Sequence, residues 1–98
     1  MRLSWGIICF FCCINHLYSQ YTISGQVKNN QKTPISEAFI LLSPINKMVT
    51  TNVKGDYKFE NLKSGIYTLT IDADGFQQKI TQLEIKNQNV VLNLNLDS

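Results

Sequence analysis

Beyond residue 19 the sequence contains no cysteine, histidine, tryptophan or arginine. Without cysteine this part of the chain has neither disulfides nor a thiol nucleophile, and with histidine also missing the donors of the usual zinc sites are gone. The serines and threonines have no histidine to activate them. Charge of one sign is lacking as well: Lys28, Lys32, Lys47, Lys54, Lys58, Lys63, Lys79 and Lys86 stand against Glu37, Asp56, Glu60, Asp72, Asp74, Glu84 and Asp97. With the lysines scattered among acids, nothing in this balance draws nucleic acid or an anionic membrane.

The first nineteen residues have a different character. Met1-Arg2-Leu3-Ser4 carries one positive charge, Trp5 to Ile14 is apolar throughout, and Asn15 to Ser19 is more polar and ends in a small residue. This is the order of a secretory signal peptide, with cleavage expected after Ser19 and within about two residues of Gln20. The apolar run, about ten residues, is well short of the roughly 20 that a membrane-spanning helix requires. Cys9, Cys12 and Cys13 lie inside that run as small hydrophobes and leave with the leader. The expected organisation is a leader over residues 1–19 and one domain over residues 20–98, exported and held together by an apolar core without disulfides.

That core is written as alternation. Tyr21, Ile23 and Val27 alternate with polar residues, and Lys28 to Pro34 is a polar loop. Ser36 to Ser43 reads as the next strand, but Ala38-Phe39-Ile40-Leu41-Leu42 is continuously apolar. Two readings stay open: a central strand covered on both sides, or Ala38, Ile40 and Leu42 facing the core with Phe39 and Leu41 exposed for a partner. Met48 to Val53 follows, and Asn52-Val53-Lys54-Gly55 is a turn that returns the chain as a hairpin. Tyr57, Phe59 and Leu62 point inward, Lys63-Ser64-Gly65 turns again, and Tyr67, Leu69, Ile71 and Ala73 form the most regular strand. Asp74-Gly75 makes a third reversal, Phe76 and Ile80 are expected inward, and Val90, Leu92, Leu94 and Leu96 close the series. Seven short strands with turns set by Gly55, Gly65 and Gly75 and no helical period predict an all-β, seven-stranded antiparallel sandwich.

Ser24-Gly25-Gln26-Val27, Pro34 to Ile40, Thr51-Asn52, Gly55 to Phe59, Leu62, Gly65 to Leu69 and Gly75-Phe76 together resemble the carboxypeptidase regulatory-like domains. The resemblance implies a transthyretin-like (prealbumin-type) sandwich. It also implies a setting, because such modules often stand at the N-terminus of bacterial TonB-dependent outer-membrane receptors, after a leader ending in a pair like Ser19-Gln20. Where the family often has an acid this chain has Asn52, whose side-chain oxygen is able to cap the same turn. A receptor of that kind continues into a plug and a transmembrane barrel, whereas this sequence stops at Ser98, which leaves a piece of a receptor and a free-standing accessory module as the two expectations.

Candidates for chemistry are few. Asp72-Ala73-Asp74-Gly75 looks like the start of a calcium loop, but Phe76 and Leu83 stand where the fifth and twelfth positions need oxygen ligands. Lys63-Ser64 lies in a turn, and Asp56 and Glu60 fall on the solvent side with nothing to separate their pKa values. No catalytic, metal or cofactor-binding residue is expected. The function expected is a non-catalytic interaction module of the bacterial envelope, in the periplasm or at the outer membrane. It would dock to a protein partner through a strand edge or through Phe39 and Leu41. The alternative is a carbohydrate-binding module with Phe39 and Phe76 as ring platforms.

Overall fold

In the computed structural model, which describes residues 19–98, alternation along the sequence becomes alternation in space. The elements are β1 (Tyr21–Asn29), β2 (Phe39–Ser43), β3 (Lys47–Thr50), β4 (Asp56–Leu62), β5 (Gly65–Asp72), β6 (Lys79–Ile85), β7 (Val90–Val91) and β8 (Leu94–Leu96). One sheet runs β4-β1-β7, with β8 also on β1, and the other runs β3-β2-β5-β6. Ile23, Val27, Phe59, Leu62 and Leu96 from the first sheet meet Ile40, Leu42, Leu69, Ile71 and Ile85 from the second, all almost fully buried. At about 1.5–3 kcal/mol for each such side chain, this layer supplies the cohesion that disulfides do not. The Tyr57 and Phe59 rings meet edge to face at 6.2 Å.

The expected all-β sandwich is the fold observed. The leader expected over residues 1–19 lies, Ser19 aside, outside the described residues. Four details depart from the expectation. The last segment is interrupted at Leu92 and Asn93, which makes eight strands rather than seven. It also runs parallel to β1, Ile23 opposite Val90 and Val27 opposite Leu94, so antiparallel pairing describes the rest of the fold and not this edge. The turns at Asn52–Gly55 and Lys63–Gly65 carry the chain from one sheet to the other instead of closing hairpins, since β3 pairs with β2 while β4 pairs with β1. Finally, Ile80 points outward: the register sets Ile71 against Lys79 and Thr70 against Ile80, so β6 turns Leu83 and Ile85 to the core.

Specific polar contacts close the sandwich. Thr51, a buried threonine, accepts a hydrogen bond on Oγ1 from the Ala38 N–H at 2.9 Å and donates to the Ile35 carbonyl at 2.7 Å. Asn52 Oδ1 accepts from the N–H groups of Lys54 and Asp56, each at 2.9 Å, which is the capping role its side chain was expected to fill. Gly55 sits beyond it at φ 78°, where an added Cβ would lie 2.5 Å from the Val27 carbonyl oxygen. On the other edge of β1, an added Cβ at Gly25 would lie 1.9 Å from the Leu92 carbonyl oxygen. That same oxygen accepts a hydrogen bond from the Tyr57 hydroxyl at 2.5 Å. Burial pushes the Tyr57 phenol up to about 12.

Two predictions follow from these contacts. Thr51→Val keeps the shape but leaves the Ala38 N–H and the Ile35 carbonyl without their partner; chemical denaturation should show a loss of about 1–3 kcal/mol with an unchanged dependence on denaturant. For Tyr57 the folded phenol holds its proton at pH values where the unfolded one, near 10.0, has released it. Its contribution is therefore complete below about pH 10 and disappears as pH rises toward about 12. Thermal melts of Tyr57→Phe should show lower stability at neutral pH and a shallower alkaline decline than the parent; parallel alkaline limbs would contradict this account.

Candidate docking surface

β2 is the strand on which the two open readings differ, and its geometry separates them. Ala38, just before it, and Ile40 and Leu42 within it are completely buried; Phe39 remains 52% exposed and Leu41 is half-buried. Each strand of a sheet turns alternate side chains to opposite faces, so residues paired across strands share a face. Leu41 pairs with Met48 on β3 and with Thr70 on β5, and Thr70 pairs with Ile80 on β6. Met48, Leu41, Thr70 and Ile80 thus form a row across the outer face of the second sheet, with Met48 59% and Ile80 63% exposed. In the next row Phe39 lies between Thr50 and Asp72. The apolar strip therefore reaches two residues that were not expected to share it: Met48, assigned only to a short strand, and Ile80, expected inward.

The end of this face is acidic. Glu37, Phe39, Asp72, Ala73 and Asp74 line a cavity of about 380 Å³. Asp72 accepts from the Gln78 side-chain amide at 3.0 Å. Among the described residues no three of His, Cys, Asp and Glu converge closely enough to hold a metal ion. The carboxylates are spread along a rim.

The other residues considered for chemistry are not brought together. Glu60 pairs with Lys58 at 3.2 Å on the solvent side of β4, where both are exposed. Ser64 is exposed and makes a 3.5 Å contact from Oγ to Asn87 Oδ1. A shallow groove lined by Gln26, Val49, Asp56, Tyr57, Lys58 and Asn93 holds no exposed aromatic ring, since Tyr57 is buried. Gly55 and Gly75, at φ 78° and 85°, lie in connections, whereas Gly65 is the first residue of β5, paired with Ile85. Phe76 packs against the core, so of the two expected ring platforms only Phe39 is exposed.

Comparison with known proteins supports the same fold. The Bacillus anthracis TIE protein matches with a TM-score of 0.72 and 23% identity over 82% of this chain and 17% of its own. A hydroxyquinol 1,2-dioxygenase from Pseudomonas putida DLL-E4 matches at 0.70 and 9% identity over 81% of this chain and 56% of its own. A chain of a type II cohesin-X-dockerin complex from Acetivibrio cellulolyticus matches at 0.67 and 15% identity, over 78% of this chain and 56% of its own. This chain thus spans from under a fifth to little more than half of those proteins, and at such identities the likeness is one of fold. Among curated proteins, none matches the chain. The family model for the carboxypeptidase regulatory-like domain matches residues 22–97, nearly all of the described residues, and the chain belongs to that family.

Proposed function

We propose that this domain is a non-catalytic interaction module, exported to the bacterial cell envelope and associated with TonB-dependent receptors or their like, which docks a protein partner on the outer face of β3-β2-β5-β6. One observation carries the reading: Phe39, Met48 and Ile80 remain more than half exposed on one face, with Leu41 beside Met48 and Thr70 between Leu41 and Ile80. A largely apolar strip of this kind loses little by being covered and gains from the exclusion of water. The described residues include neither cysteine nor histidine, and this and the regulatory-like character of the family point away from catalysis. A sandwich of this fold also occurs in a chain of a type II cohesin-X-dockerin complex, so the fold is compatible with docking. The sugar-binding alternative has weaker support, because Phe39 is a single exposed ring and the groove has none.

A docking face is retained for its partner and contributes little to folding. Phe39→Thr, which puts a strand-favouring β-branched residue in its place, should change stability by less than about 1 kcal/mol, whereas Ile40→Ala next to it should cost about 2–5 kcal/mol in equilibrium unfolding. A photoreactive residue at position 39 should give a discrete adduct in envelope fractions, and one at Val91 on the opposite sheet should not. Free monomer from both positions would refute docking on this face, and retention on a panel of polysaccharide gels that Phe39→Ala abolishes would replace it with sugar binding.

A further inference from the structure

We propose that the segment docked on this face is basic: an extended stretch of a partner protein in which apolar residues alternate with arginine or lysine, one cationic side chain lying on the Phe39 ring between Glu37, Asp72 and Asp74. The inference rests on the docking reading above and adds the chemistry of the occupant. Its basis is the charge carried by the face.

β3 and β6 each contribute one lysine to this sheet, and neither points outward. Lys47 is in register with the buried Leu42, and Lys79 with the buried Ile71. Lys47 Nζ reaches the Glu60 carbonyl of the other sheet at 3.1 Å. The outward positions therefore hold acids without lysines. Glu84 has Lys86 at 3.8 Å, which leaves the Phe39 end as the place where negative charge is uncompensated. Among the described residues the ion pairs are Lys58–Glu60 and Lys86–Glu84, and neither includes Glu37, Asp72 or Asp74.

Three acids around an exposed ring repel one another, and the negative face of the ring adds to the same field. A cation on a slender apolar stem relieves both. An arginine suits the place best, since its flat guanidinium stacks on an aromatic ring and presents paired N–H groups to carboxylates. The spread of the acids along a rim suits a side chain that reaches several of them better than it suits a metal ion. Behind it, residues of the partner at alternate positions would rest on Leu41, Met48 and Ile80. Nucleic acids, anionic lipids and acidic peptides meet repulsion at the same rim.

The test uses the purified chain and a fluorescein-labelled peptide of alternating arginine and valine, with a control peptide carrying glutamate in place of each arginine, read by anisotropy. The basic peptide should bind, more weakly as salt is raised, and the acidic one should not. Asp72→Asn and Phe39→Ala should each weaken binding by about tenfold, and Lys58→Gln on the opposite sheet should leave it unchanged. Equal binding of the two peptides, binding indifferent to both substitutions at the rim, or preferential binding of anionic vesicles would overturn the proposal. If the peptide fails while the adduct from position 39 forms, docking stands and the basic occupant is wrong. If neither is seen, both readings fall.

Discussion

β1 is bonded along both of its edges, to β4 on one side and to the β7 and β8 segment on the other, and the second edge joins the two ends of the domain. It is closed by side chains as much as by backbone. Thr22 and Gln26 donate their N–H groups to the Asn89 and Asn93 side-chain oxygens at 2.9 and 3.0 Å. Between those contacts, the Leu92 N–H reaches the Ser24 carbonyl at 2.7 Å. The strand is able to come this close only because residue 25 is glycine, and Tyr57 then ties the Leu92 carbonyl to β4. If that edge were lost, the inward Leu94 and Leu96 would leave the core and β1 would expose its unpaired groups.

The parts of this arrangement that were legible in the sequence are those with a local cause. Period-two alternation located the inward residues of β1, β4 and β5, and Asn52 with Gly55 located a turn. What remained hidden depends on residues far apart. The same offset relates Ile23 to Val90 and Val27 to Leu94, and no local pattern distinguishes a strand that arrives parallel from one that arrives antiparallel. Ile80 was misplaced because the connection after Ala73 sets the β5-β6 register, and a shift of one residue exchanges the two faces. At the candidate surface, Phe39 and Leu41 were visible as a break in alternation. Met48, Ile80 and the acidic rim were not, since they join the patch only through pairing across strands.

Two connections of this fold use one device with different residues. Asn29 and Asn52 each accept two backbone N–H groups on the side-chain oxygen, from Gln31 and Thr33 in one case and from Lys54 and Asp56 in the other. In both, the residue three positions on takes positive φ, Lys32 at 67° and Gly55 at 78°. The difference between lysine and glycine follows from the surroundings. Lys32 is exposed in the loop and carries the strain of a left-handed L-residue, about 1–2 kcal/mol. At Gly55 the Val27 carbonyl fills the space of a Cβ, and the Val27 N–H bonds to the Gly55 carbonyl at 2.8 Å. A side chain there would push the corner off β1, so the turn that leads the chain between the sheets has no room for one.

Docking by the face rather than by a strand edge agrees with how the edges are furnished. β3 is four residues long and begins with Lys47. β6 is a longer edge of seven residues, but it opens on Lys79 and carries Glu84 near its end, charges that discourage an added strand. The outer face between these edges has no such guard where Phe39, Leu41 and Met48 lie together. A β-branched or polar residue at position 39 would satisfy the strand equally well, because Ile40 and Leu42 already provide its share of the core. The apolar choice at alternate outward positions is therefore left without a purpose in folding. The docking proposed for this face would supply one, and the acids at its margin would then restrict which partners can approach.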